Sequence, residues 1–108
     1  MSYNQKLAEK VRTELKGTKF IEKPFFGAMA FLVNGLVAVA VLNDDLVVHV
    51  GPDKLDEFLK QPNTKVYNPP AEFAKGFLEV EPEGFKTEEQ LKEWIRVGVE
   101  YVKAAAKK

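Results

Sequence analysis

The chain has 108 residues, with 16 basic and 16 acidic side chains, one His and no Cys. That length fits one domain of ordinary size, and an apolar fraction of 45% is enough for a real core rather than a disordered chain. Zero net charge argues against a general nucleic-acid binder, and the missing Cys excludes a disulfide framework, a thiolate zinc site, an iron–sulfur cluster and a cysteine nucleophile.

Ser2 with Gln5 reads as a capping box at the start of a helix. Leu7, Val11 and Leu15 then recur every four residues with Ala8 beside them, and charged residues fill the rest of the circumference. Gly17 takes the left-handed position that ends the helix. Phe20 to Lys23 reads as a connector closed by Pro24.

The longest apolar stretch, Phe25 to Leu42, is near the lower limit of a membrane span, which needs about 20 apolar residues. Asn34-Gly35 at its centre makes it a hairpin instead, because both residues accept the positive φ of a type I′ turn. Strands are expected over 28–33 and 36–42. A two-residue turn pairs Val33 with Leu36 and Phe31 with Ala38. One face then carries Met29, Phe31, Val33, Leu36, Ala38 and Ala40, and the other Ala28, Ala30, Leu32, Val37, Val39 and Val41. Both faces are apolar, whereas an antiparallel sheet with one wet face alternates. The hairpin must therefore be covered on both sides, by helices or by a second copy of the chain.

Asn43-Asp44-Asp45 is the next turn, and Leu46 to Val50 a third strand broken by Gly51-Pro52. Asp53 caps a short helix with Leu55, Phe58 and Leu59 on its apolar side. Val66-Tyr67 is a short strand, and Phe77 to Val80 another, separated by an irregular segment containing Pro69, Pro70, Phe73 and Lys75. Thr87 with Gln90 forms a second capping box. Leu91, Trp94, Ile95, Gly98, Val102 and Ala105 mark the buried stripe of the last helix. Mid-helix Gly costs about 1 kcal/mol, so Gly98 marks a close approach of another backbone. The order α-β-β-β-α-β-β-α without regular βαβ alternation predicts an α+β, two-layer fold, an antiparallel sheet packed by helices.

Catalytic sets are sparse. His49 lies near Asp44, Asp45 and Asp53 in sequence, which is the pattern of a His–carboxylate metal site or acid–base pair, although one His with scattered carboxylates has weak metal specificity. Ser2 is the sole Ser and reads as a helix cap, so a Ser-His-Asp catalyst is implausible. Glu79 and Glu81 read as an exposed strand face. Phe25, Phe26, Tyr67, Phe73, Phe77 and Phe85, with Lys65 and Lys75, could stack single-stranded nucleic acid; with neutral charge they read as core filling.

The run Phe26-Gly27-Ala28-Met29-Ala30-Phe31-Leu32-Val33-Asn34-Gly35 resembles the MFGGxAFxxNG signature of the TfoX (Sxy) N-terminal domain. Phe25 stands where the signature has Met, and Ala28 where it has the second Gly. Asp45-Leu46 followed by Val48-His49-Val50-Gly51, Ala74-Lys75-Gly76-Phe77 and Trp94 also resemble segments of that family, so the likeness covers about Leu7 to Val102. The resemblance implies a secretion-chaperone-like α+β fold and a regulator of natural competence that acts with the cyclic-AMP receptor protein at promoters. It brings no catalytic residues. The chain reaches Lys108 without the helical C-terminal domain of that regulator, so a stand-alone copy of the domain is expected.

These readings converge on a non-enzymatic, cytoplasmic protein-interaction module with no cofactor and no metal, which binds a protein partner such as a transcription regulator. A homodimer is expected, with no sequence-specific nucleic acid and no membrane as partner. The expected contact surface is Tyr67, Pro69, Pro70, Phe73 and Lys75, where aromatic and Pro residues lie outside regular elements. The alternative is a small metal- or metabolite-dependent enzyme that uses His49 with its neighbouring carboxylates.

Overall fold

A computed structural model describes residues 3–25, 27–67 and 76–106 of the chain. Helix α1 (Gln5–Glu14) leads into strands β1 (Ile21–Phe25), β2 (Ala28–Val33), β3 (Leu36–Leu42) and β4 (Asp45–His49). Helix α2 (Leu55–Phe58), strands β5 (Thr64–Tyr67) and β6 (Phe77–Val80), a 3-10 turn at Pro82–Phe85 and helix α3 (Glu88–Ala106) follow. The six strands form one antiparallel sheet in the order β1-β2-β3-β4-β6-β5. The fold is α+β, with the helices gathered on one face of the sheet.

The expected hairpin forms around Asn34 at φ 55° and Gly35 at φ 82°, and its first pairs are Val33 with Leu36 and Leu32 with Val37. The register then shifts. Phe31 pairs with Val39, Ala30 with Ala40 and Met29 with Val41, so Ala38 is one extra residue in β3. A bulge of this kind reverses which side chains face which way beyond it. Ala38, Val39 and Val41 therefore join Phe31 and Val33 in the helix-side core, and Ala40 joins Ala28 and Ala30 on the far face. The uninterrupted alternation expected from the sequence is corrected at this point.

The segment read as a connector is the edge strand β1. Ile21 pairs with Leu32 and Lys23 with Ala30, while Pro24 pairs with Met29. Pro is tolerated on an edge strand, where one side of the backbone has no ladder to serve. Helix α1 clamps this edge, because Arg12 forms a two-point ion pair with Glu22 at 2.5 and 2.8 Å.

Two helix starts also differ from expectation. Asn4 caps α1, its side chain accepting from the Leu7 N–H at 3.0 Å, while Ser2 lies outside the described residues. Asn4 also receives its backbone position from the sheet, since its N–H donates to the Asn43 carbonyl at 2.7 Å. Helix α2 begins after Lys54 without a side-chain cap, because Asp53 is taken up in the turn closed by the Lys54 N–H and the Gly51 carbonyl. The second capping box forms as expected: the Thr87 N–H donates to Gln90 Oε1, and the Gln90 N–H to Thr87 Oγ1, both at 3.1 Å.

The main core lies between the sheet and the helices. Leu7, Val11 and Leu15 of α1 and the following turn, with Leu91, Trp94, Ile95 and Val102 of α3, pack on Phe31, Val39, Val41, Leu46, Val48, Leu78 and Val80. Trp94 closes the bottom edge by donating to the Gly84 carbonyl at 3.1 Å. On the far face Ala28, Ala30, Ala40, Val47 and Phe77 are buried, with Leu32, Val37, Leu42 and Tyr67 half-buried against them. The hairpin thus has buried side chains on both faces of the sheet, while Leu32, Val37 and Leu42 stay half-buried on the far one. Among the described residues no helix is long and apolar enough to cross a membrane.

Candidate functional site

The far face of the sheet carries two polar groupings, one at each end of strands β4 and β6. Both arise because successive side chains of a strand alternate, so Asp45, Val47 and His49 of β4 share a face with Phe77 and Glu79 of β6.

At one end His49 pairs across the ladder with Phe77, and Phe77 with Tyr67 of the edge strand β5. The His49 and Phe77 rings stack with centroids 4.2 Å apart, and Tyr67 meets Phe77 edge-on at 6.3 Å. Tyr101 of α3 reaches His49 at 4.6 Å by passing over Gly51, where any side chain would collide with its ring. His49 Nδ1 lies 2.8 Å from the Val37 carbonyl, and a carbonyl only accepts, so Nδ1 carries the hydrogen. Four ring side chains from β4, β6, β5 and α3 are thereby locked together, ending at the exposed sheet edge.

At the other end Glu79 sits between two neighbouring strands. Lys65 of β5 lies directly across from it, with Nζ 3.8 Å from its carboxylate, and Asp45 of β4 lies diagonally on its other side. The Glu79 side chain is only 13% exposed, against the exposed strand face expected from the sequence. Burial is the main cause that pushes its carboxyl up to about 7; the hydrogen bond with Asp45 and the negative charges of Asp45 and Glu81 add to it, while Lys65 pulls the other way. Tyr67 is raised in the same direction, by burial and then by the charge of Glu79.

This arrangement has a sign in stability. Between the free-carboxyl range and about pH 7 the folded chain holds a proton at Glu79 that the unfolded chain has already lost. The resulting stabilisation is complete at the acid end and fades as pH rises through 7. Thermal unfolding is expected to show a Tm that falls from mildly acidic to mildly alkaline buffer, and Glu79→Gln is expected to flatten that part of the profile. An unchanged profile in the variant would contradict the assignment.

The acidic residues near His49 in sequence are spread over different places in the fold. Asp45 lies four residues along the same strand, roughly 13 Å away at the usual strand rise. Asp44 accepts from the Asn4 side chain at 3.2 Å, and Asp53 lines a groove of about 650 Å³ with Pro52, Phe58, Glu100 and Tyr101. Among the described residues no group of three or more His, Asp or Glu side chains could hold a metal ion.

Of the contact residues expected from the sequence, Tyr67 is half-buried at the end of edge strand β5. Pro69, Pro70, Phe73 and Lys75 lie outside the described residues. Phe77 is buried and Phe85 half-buried against the main core, so these two aromatics fill space. The Asp45–Glu79 pair and the Tyr101–His49 contact were missed in the sequence, because each joins elements far apart in the chain. The model of the TfoX N-terminal domain matches residues 16–102. Among curated proteins and solved structures nothing matches the chain.

Proposed function

Because the chain belongs to the TfoX N-terminal domain family, we propose that it is a non-enzymatic protein-interaction module with a regulatory role exerted through a protein partner. The observation that carries this reading is the position of Tyr67. It stands at the end of an edge strand, and ring contacts through Phe77 and His49 hold it to the body of the domain. An edge strand offers unpaired backbone groups to an incoming segment, and a fixed aromatic beside them offers an anchor. The outward Val66 of the same strand is 41% exposed, one of three large exposed apolar side chains among the described residues. Pro69, Pro70, Phe73 and Lys75 continue the chain from that edge and complete the proposed contact surface. The partner of this reading is a transcription regulator, the class that the TfoX likeness suggests.

Replacing Tyr67, Phe73 and Lys75 together by Ala is expected to abolish partner capture while leaving the circular dichroism spectrum unchanged. Capture retained by a folded triple variant would remove this edge from the account. The homodimer is proposed on narrower ground than the apolar hairpin, since the same exposed edge can pair with its own copy across a two-fold axis. Light scattering at tens of micromolar tests it, and a monomer at that concentration would dispose of it.

A further inference from the structure

Glu79 occupies the middle of three strands and has one candidate partner on each side. Asp45 on β4 can satisfy it only when a proton lies between the two carboxyls. Lys65 on β5 pairs with it best when that proton is gone. The other charged or titratable groups that face it are Glu81, two residues on in its own strand direction, and Tyr67 beside Lys65. With the proton in place, Asp45 and Glu79 share one negative charge between them. Without it they carry two, with Glu81 adding a third, and Asp45 repels Glu79 toward the ammonium.

We propose that Glu79 is a proton-operated toggle, joined to Asp45 on β4 when protonated and to Lys65 on the edge strand β5 when ionised. Glu79 has a group on either side: Asp45 stands diagonally on β4, and Lys65 lies 3.8 Å away on β5, at the outer limit of an ion pair. The proton is exchanged with solvent, and no other bond is made or broken. The output is the state of Lys65, whose side chain is 54% exposed on the edge strand beside Tyr67. In the protonated state its ammonium is left to solvent or to an incoming acidic group, and in the ionised state Glu79 occupies it. The device is a property of the isolated chain and stands whether or not the edge binds a partner.

The test is carboxyl carbon and lysine side-chain nuclear magnetic resonance on the whole chain, titrated across the neutral range without any ligand. The expected result is a Glu79 carboxyl carbon that titrates near neutrality, with the Lys65 ε resonances moving at the same midpoint. Asp45→Asn removes the like charge and is expected to return the Glu79 midpoint toward the ordinary carboxylate range, carrying the Lys65 inflection with it. Glu79→Gln, a near-isosteric change, is expected to abolish the Lys65 inflection altogether. A Glu79 midpoint that stays put in Asp45→Asn, or Lys65 resonances that ignore the titration of Glu79, would overturn the toggle. Loss of partner capture in the Tyr67, Phe73 and Lys75 variant has no bearing on either outcome.

Discussion

Replacing Gly98 by Val is expected to cost about 3 kcal/mol or more, and to lower the Tm by at least about 12 °C. Gly98 sits in the middle of α3, where the helix presses on the bulge of β3. A side-chain carbon there would overlap the Ala38 carbonyl and stand 3.0 Å from Val39 Cγ1 and 3.1 Å from the Ala38 carbonyl carbon. Backbone cannot rotate out of the way as a flexible side chain can, so helix and sheet must separate. The smaller change, Gly98→Ala, tests the same point by sign. Helix propensity alone predicts a gain of about 1 kcal/mol, whereas contact with Ala38 predicts a loss. Urea unfolding of the two variants decides, and a stabilised Gly98→Ala protein would show that α3 stands farther from the sheet than described.

Gly76→Ala is expected to be nearly as damaging, for a different reason. Gly76 has φ 83°, and its carbonyl accepts from the N–H groups of both Val50 and Gly51 at 2.9 and 3.0 Å. This crossing joins the exit of β4 to the entry of β6. An added carbon would collide with the Gly51 and Pro52 backbones, within 2.7 Å of the Gly51 Cα. Two costs combine: about 1–2 kcal/mol for a non-Gly residue in the left-handed region, and a further overlap with backbone of about 1–3 kcal/mol. Gly17→Ala is the control, since Gly17 also has a positive φ of 89° but nothing within 4 Å. Thermal unfolding is expected to show Gly76→Ala several degrees below Gly17→Ala. Equal losses in the two would mean that the Gly51–Gly76 crossing is not close-packed.

The same crossing explains why the ring grouping on the far face is fixed. Gly51 admits Tyr101 to His49, and Gly76 sets the start of β6 so that Phe77 stacks on His49 and touches Tyr67. The end of the edge strand is therefore tied to helix α3 through contacts that a residue larger than Gly at either position would disrupt.

Local signals in the sequence were read well where one segment decides the outcome. Asn34-Gly35 places the hairpin by φ alone, Thr87 with Gln90 starts α3, and the spacing of Leu91, Trp94, Ile95 and Val102 shows its buried stripe. Gly98 in that stripe indicated a close backbone, and the structure places the Ala38 carbonyl there. What failed depends on partners distant in the chain. Pro24, Glu22 and Lys23 look unlike a strand, yet pairing with Met29, Phe31 and Ala30 recruits them to the sheet edge. The bulge at Ala38 leaves no mark in a run of Val and Ala that is apolar in either register. Asp45 and Glu79 meet because β6 pairs with β4 after an excursion through α2 and β5, an adjacency that no local pattern records. Of the proposed contact surface, Tyr67 lies among the described residues, and it ends edge strand β5 rather than standing outside the regular elements.

The most direct measurement is affinity capture of the tagged chain from its native host's lysate after nuclease treatment, read by mass spectrometry. Enrichment of a transcription regulator or RNA polymerase subunits is expected, persisting without nucleic acid and disappearing with the Tyr67, Phe73 and Lys75 variant. Recovery of the bait and its own untagged copies alone would rule out a protein partner of this class.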